Sequence, residues 1–309
     1  MADERKLQGI PAERTFKTKV ELGWEMIRRV QAEGLPFEAV ACDELYGRSG
    51  WLRARLDEAK LVYLANVPAD TRVYLTEPRL GIPERPPGRR GPQIRRRQIL
   101  SEAGPVEARA LATGADAPWQ RVRVRPVERG ELADEFAAWP VWTIRDQAVA
   151  REWLLVRRTS QGKCSYTLSN APLATPLERL ARLRCQRYWI ERANQDAKSE
   201  VGWDELQAQK YRAWEHHLAL TILATWFVAE TKLAWARDHP RDPSLTTDFA
   251  TDRLPDLSVA NVRAMLRAAM PLPDLTADRA AALVVEHLVN PTRSRRSRRK
   301  RQPYAGRGP

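Results

Sequence analysis

No two cysteines in this sequence stand at C-x-x-C spacing, and there are only three: Cys42, Cys164 and Cys185. An odd, scattered set argues against a disulfide framework or a zinc knuckle and fits reduced thiols in a cytoplasmic protein. The opening residues MADERKLQGI carry charge and no apolar run, so no secretory leader is expected there. Long hydrophobic runs are also scarce. The most apolar stretch, LALTILATWFVA at residues 218–229, is expected to be too short and too isolated to span a bilayer, so no membrane partner is expected. There is no internal repeat and no aromatic RNA-binding signature.

What is present is positive charge. The chain has 309 residues, 43% of them hydrophobic, enough for a sizeable core, and a net charge of +13. Such a balance points to a polyanionic partner, most simply nucleic acid. The segment RSRRSRRKR, residues 293–301, holds seven of the cations; removing them from +13 leaves +6, so the body is only moderately basic.

Residues 17–33 repeat apolar side chains at helical spacing (Val20, Trp24, Ile27, Val30), and Gly34 and Pro36 end the pattern. Phe37 to Cys42 is a nearly continuous apolar run, the pattern of a strand buried on both faces. A helix is predicted over 49–60, then strands in LVYLANV and TRVYLTE between 61 and 77. Strand, helix, strand makes a βαβ unit and a parallel sheet. Residues 78–97, rich in proline, glycine and arginine, read as a basic loop. Strands over 119–125 and 152–168, the latter a hairpin turning at Gln161-Gly162, predict a second, more antiparallel sheet. Thr175-Pro176-Leu177-Glu178 reads as a helix start, with Thr175 as cap. That helix is predicted to run to about Glu200 and stop at Gly202. A second long helix is predicted from a cap at Asp204 to about Trp235, and short helices near 258–270 and 276–289. Trp189, Trp226, Phe227 and Trp235 are expected in the core. His216 and His217 are adjacent, cannot share one helix face, and read as packing residues.

The stretch RCQRYWIERANQDAKSE carries the chemistry. On one helix at about 100° per residue, Arg184, Arg187, Glu191 and Lys198 fall within roughly 60° of one another. Most such faces are solvated ion-pair stripes. The functional alternative is a carboxylate metal ligand flanked by phosphate-binding cations. Asp43 stands at the carboxyl end of the strand FEAVAC, where open α/β sheets place their sites. A strand-end aspartate and a later helical glutamate in a basic protein give the layout of an RNase H-like nuclease core.

On these residues the chain resembles bacterial insertion-sequence transposases of the DDE type, in the group with a Tyr-x2-Arg-x3-Glu-x6-Lys signature. Arg187, Glu191 and Lys198 match with the family spacing, and Arg184 stands where the family has tyrosine. PFEAVACDELYGRSGWLRARL is similar to the segment around the family's second catalytic aspartate, which would make Asp43 that residue. The resemblance implies an α/β fold, a partial RNase H-like core interrupted by a mostly β insertion and followed by long C-terminal helices. The implied divisions are 1–78 and 173–238 for the core with its carboxylates, 79–172 for the insertion, and 239–309 for a helical region and arginine-rich tail.

The implied activity is transposition by metal-dependent phosphoryl transfer: one DNA strand is cut, and the freed 3′-OH attacks target DNA. Asp43 and Glu191 would hold Mg2+ or Mn2+, with two ions in a complete site. Arg184, Arg187 and Lys198 would grip phosphates, and Arg95, Arg96, Arg97, Arg295, Arg296, Arg298 and Arg299 would track DNA nonspecifically. Partners would be element ends and target DNA, with a homodimer in a synaptic complex, in the bacterial cytoplasm. The family's first aspartate lies on an earlier strand. Only Asp3 precedes Asp43, in a stretch with no strand pattern. The chain is therefore expected to lack the first catalytic aspartate, to be N-terminally incomplete and to be inactive alone. The alternative is a non-catalytic remnant that still binds DNA.

Overall fold

The computed structural model describes residues 2–83, 96–127, 130–238 and 257–269, with a few positions between 276 and 285. The chain divides into two units, Met1–Leu218 and Ala219–Pro309.

The first unit opens with a short helix α1 (Ala2–Leu7). Helix α2 (Lys19–Ala32) starts at a capping box, in which Thr18 and Glu21 bond each other's backbone N–H. Strand β1 (Ala39–Cys42), helices α3 (Glu44–Gly47) and α4 (Gly50–Glu58), and strand β2 (Val62–Val67) follow. β1 and β2 run parallel, Ala39 opposite Val62, so the predicted βαβ unit is present. Gly47 lets α3 lie directly on β2: a Cβ there would sit 1.9 Å from the Asn66 carbonyl oxygen.

Short strands β3 (Arg72–Val73) and β6 (Val106–Glu107) pair, as do β4 (Leu80–Gly81) and β5 (Gln98–Ile99), and α5 (Ala108–Thr113) follows β6. Then comes a meander of β7 (Gln120–Val127), β8 (Gly130–Arg145), β9 (Ala148–Arg158) and β10 (Cys164–Ser169). The predicted hairpin at Gln161-Gly162 joins β9 to β10, with Gly162 at φ +78°.

Three expectations change here. The meander does not form a second sheet. β10 pairs antiparallel with β2, Tyr166 opposite Val67 and Ser169 opposite Leu64, giving one six-stranded sheet in the order β1-β2-β10-β9-β8-β7. A lone β2 edge would leave a row of backbone donors and acceptors unpaired, and β10 pairs them. β8 had no predicted counterpart. Its Pro140 interrupts a strand pattern, but β7 pairs only with Gly130 to Phe136, so no ladder bond is lost on that side. And β1 is not buried on both faces: it lies at the sheet edge, with Ala41 exposed and Cys42 buried.

Helices cover both faces. On one, α6 (Leu177–Cys185) packs Leu180 and Ala181 against Val122, Phe136 and Leu155. Burying a leucine such as Leu180 contributes about 2 kcal/mol. On the other, Cys42, Tyr63 and Ala65 meet α2 and α4, while Val67, Val141, Leu154 and Leu168 meet α5. Beneath α4 sits an ionic cluster. Glu152, 1% exposed, lies 3.3 Å from Arg53 Nε as an ion pair and accepts from the hydroxyls of Tyr63 and Thr143. Arg145 donates to the Tyr63 hydroxyl at 2.6 Å and pairs with Asp57.

The single long helix predicted from Pro176 to Glu200 is two. α6 begins at Leu177, one residue after the predicted start, and Pro176 occupies the cap position in place of Thr175. The helix breaks at Gln186, and α7 (Arg187–Val201) then runs to the predicted stop at Gly202, in the left-handed conformation at φ +78°. α8 (Tyr211–Asp238) starts later than the Asp204 cap predicts, where the Tyr211 N–H donates to the Gln8 carbonyl. The apolar run judged too short for a bilayer lies inside this 28-residue helix, which by length and composition alone suffices to cross one. Trp226 and Phe227 are 62% and 54% exposed rather than in the core, and Trp189 on α7 is 54% exposed. Apolar side chains on all sides of a helix cannot all face one core. In the second unit, α9 (Val259–Ala269) matches the helix predicted near 258–270, and the Ser258 hydroxyl caps it. The one predicted over 276–289 falls mostly outside the described residues.

Candidate functional site

A cleft of about 500 Å³ opens where β1 and β2 end and β10 begins. Its walls include Asp43, Glu44, Asn66, Lys163, Ser165 and Arg187. Asp43 follows β1 directly and caps α3: its Oδ1 accepts the Tyr46 N–H at 3.2 Å. The N-terminal turn of α7 brings Arg187 to the opposite wall. The Arg125 guanidinium lies 3.6 Å from the centre of the Tyr188 ring and 5.3 Å from that of Trp189, seating this turn. A bulge between Arg123 and Arg125 turns Arg125 toward α7.

The structure brings two of the expected residues, Asp43 and Arg187, to this cleft. Glu191 is not part of the wall. It is exposed one turn along α7 and ion-paired to Arg187. Lys198 is exposed farther along the same helix. Arg184 departs from expectation. The break at Gln186 places it on α6 rather than on one stripe with Arg187, and it is 9% exposed. Its Nε donates to Thr167 Oγ1 at 2.9 Å and its Nη2 to Ser165 Oγ at 2.6 Å. A guanidinium so placed supports the cleft from behind rather than gripping phosphate. Arg96 and Arg97 are exposed ahead of β5. Arg95, Arg295, Arg296, Arg298 and Arg299 lie outside the described residues.

The pattern reading missed Asn66, Lys163 and Ser165. One signal was available: Asn66 is the sole polar residue in the apolar strand LVYLANV. Asn66 stands opposite Thr167, and the Thr167 hydroxyl donates to its Oδ1 at 2.8 Å.

Electrostatics separate the groups around the cleft. Burial, with the Asp43 charge adding to it, pushes the Cys42 thiol up to about 12, against the opposing pull of Arg53 and Arg187. A thiol buried and held protonated in this way is a poor nucleophile. Burial lowers Arg184 below the usual arginine range; the neighbouring Cys185 opposes this, and the nearby charges of Arg157 and Arg187 reinforce it. No carboxylate pairs with Arg184 among the described residues.

Magnesium asks for several oxygen ligands. Here one Asp43 oxygen is committed to its cap and Glu191 to Arg187. Among the described residues, no three His, Cys, Asp or Glu side chains are grouped to hold a metal ion. The described residues therefore do not by themselves fit the two-ion site that the resemblance implies. The histidines add nothing to it: His217 Nε2 lies 3.2 Å from the Trp203 carbonyl oxygen.

No curated protein matches the chain. Residues 1–131 match a family model described as DDE superfamily endonuclease. The matched stretch contains β1, Asp43 and β2 and ends before Arg187 and Glu191. Together with the mixed α/β sheet and a cleft at its strand ends, the match supports a relationship to DDE-type transposases and nucleases, which act on DNA.

Proposed function

We propose that this chain is a transposase-like protein that holds the DNA backbone in the cleft between Asp43 and Arg187 and does not cut DNA unaided. The observation that carries this reading is that Asp43 and Arg187, far apart in sequence, line one cleft at the strand ends. Lys163 adds a second cation to the wall, and buried Arg184 stands behind it with no carboxylate paired to it among the described residues. A polyanion would supply the missing charge.

On this reading residues 1–78 and 173–238 carry the RNase H-like core, the β-rich 79–172 lies between them in sequence while adding β7–β10 to the same sheet, and 239–309 follows. Asp43 and Glu191 would correspond to two carboxylates of a strand-cutting site for Mg2+ or Mn2+. Glu191 is tied to Arg187 here, which favours a chain that is inactive alone. Arg187 and Lys198 contact phosphates, and element ends pair through a dimer. Transposition of an insertion sequence in the bacterial cytoplasm is the process served. The Arg187–Glu191 pair equally favours the second reading, a remnant that binds without cutting.

The test is to incubate the purified chain with labelled duplex DNA and Mg2+ or Mn2+, and to titrate binding across salt. The expected result is binding that weakens steeply with salt and no strand cleavage. Clear cleavage by the isolated chain overturns the inactivity. Binding indifferent to salt overturns the backbone grip.

A further inference from the structure

The cleft contains a neutral donor whose orientation is fixed from behind. Arg184 Nε, which can only donate, gives its hydrogen to Thr167 Oγ1 at 2.9 Å. The Thr167 hydroxyl has a single proton, and it points at Asn66 Oδ1 at 2.8 Å. Thr167 is fully buried, so this polar chain runs through the interior. With the Thr167 proton given to Asn66, the amide oxygen faces Thr167 and the NH2 has no partner among the described residues. Asn66 also lines the cleft with Arg187 and Lys163. The backbone of Asn66 is held as firmly, since α3 touches it across Gly47.

We propose that the Asn66 amide is an anion-binding group of the cleft, donating to a DNA phosphate oxygen, and that Arg184 and Thr167 are positioning residues that aim it. A preset donor binds an anion without first being ordered, and so keeps more of the hydrogen bond's strength. The relay also accounts for an arginine buried without an acid partner. Its hydrogen bonds fix the amide from behind, and its charge raises the potential at the cleft. This inference rests on the DNA-binding reading above.

The test measures binding of a fluorescein-labelled duplex oligonucleotide by anisotropy at several salt concentrations, with thermal melting to confirm that each variant is folded. Asn66→Ala is expected to weaken binding about tenfold, the scale of a hydrogen bond to a charged group. Its slope of log Kd against log salt should match that of the wild type, because a neutral amide releases no counterion. Asn66→Asp, nearly isosteric, turns a donor into a negative acceptor and is expected to weaken binding more. Thr167→Val is expected to reproduce part of the Asn66→Ala loss, and Thr167→Ser to restore it. Arg187→Ala is the control: it should weaken binding and lower the slope by about one. If Arg187→Ala weakens binding while both Asn66 variants bind as the wild type does, the Asn66 assignment is wrong and the cleft reading stands. If Arg187→Ala changes nothing, the DNA-binding cleft itself is wrong. A salt slope that falls in Asn66→Ala as much as in Arg187→Ala also counts against a neutral donor.

Discussion

Both faces of the central sheet bury arginines, and they treat them differently. Under α4, Arg53 is paired with Glu152 and Arg145 with Asp57, with Tyr63 and Thr143 completing the cluster. Under α6, Arg184 donates to the hydroxyls of Thr167 and Ser165 and lies beside the Cys185 thiol, with no carboxylate paired to it among the described residues. The first arrangement is neutral and closed, as a charge cluster that clamps a helix to a sheet has to be. The second leaves positive charge uncompensated directly behind a cleft. A fold that neutralises its cations on one face and leaves one open on the other separates holding itself together from holding a ligand.

The largest test of that contrast is Glu152→Gln. It strands Arg53 without its buried counter-charge and should cost about 3–5 kcal/mol in urea unfolding, while folded protein keeps its DNA affinity. If unfolding moves by less than about 1 kcal/mol, the cluster is not the clamp described. Gly47→Ala should come next. Its Cβ would meet the Asn66 carbonyl at 1.9 Å, so α3 must shift. We expect a loss of about 3 kcal/mol and, unlike Glu152→Gln, a fall in DNA affinity because Asp43 and Asn66 move together. Arg187→Ala should do the reverse. Its pair with Glu191 is at the surface and contributes less than about 1 kcal/mol, so stability is nearly unchanged while DNA affinity falls about tenfold.

The smallest effect belongs to the exposed start of α2. Thr18→Ala removes the α2 capping box and should cost about 1 kcal/mol by thermal melting. Hydrogen bonds from the Thr18 N–H and hydroxyl hold Glu21 below the usual glutamate range. Its contribution is therefore present above an unfolded value of about 4.3 and is lost as pH falls through the lower folded one. The backbone N–H at residue 18 survives Thr18→Ala, and the hydroxyl's bond from the Glu21 N–H does not titrate, so the gap between wild type and Thr18→Ala should narrow only slightly across that acid range.

These contrasts also show what the sequence could carry. The βαβ unit was legible because apolar run, cap and turn follow one another locally: Ser49 caps α4 and Gly34 follows α2. Asp43 was legible for the same reason, as a polar residue at the end of an apolar strand. Long-range pairing was not. Nothing local in CSYTLS says that it will add to β2 rather than to a separate sheet. Gln186 carries no breaker signal, so the α6–α7 break was hidden, and with it the burial of Arg184. Asn66 becomes interesting only once Thr167 stands opposite it. Trp226 and Phe227 were misplaced because apolarity marks what would favour burial and not what is covered.

The most direct measurement is hydrogen exchange of the backbone with and without duplex DNA at low salt. DNA bound in the cleft gives new protection at Asp43–Gly47, at Asn66–Ala69, along Gly162–Tyr166 and at the first turn of α7, with little change in α4 around Arg53. Protection that spares these four segments and falls on the α4 face, or no protection under conditions where DNA is bound, would contradict binding in the cleft.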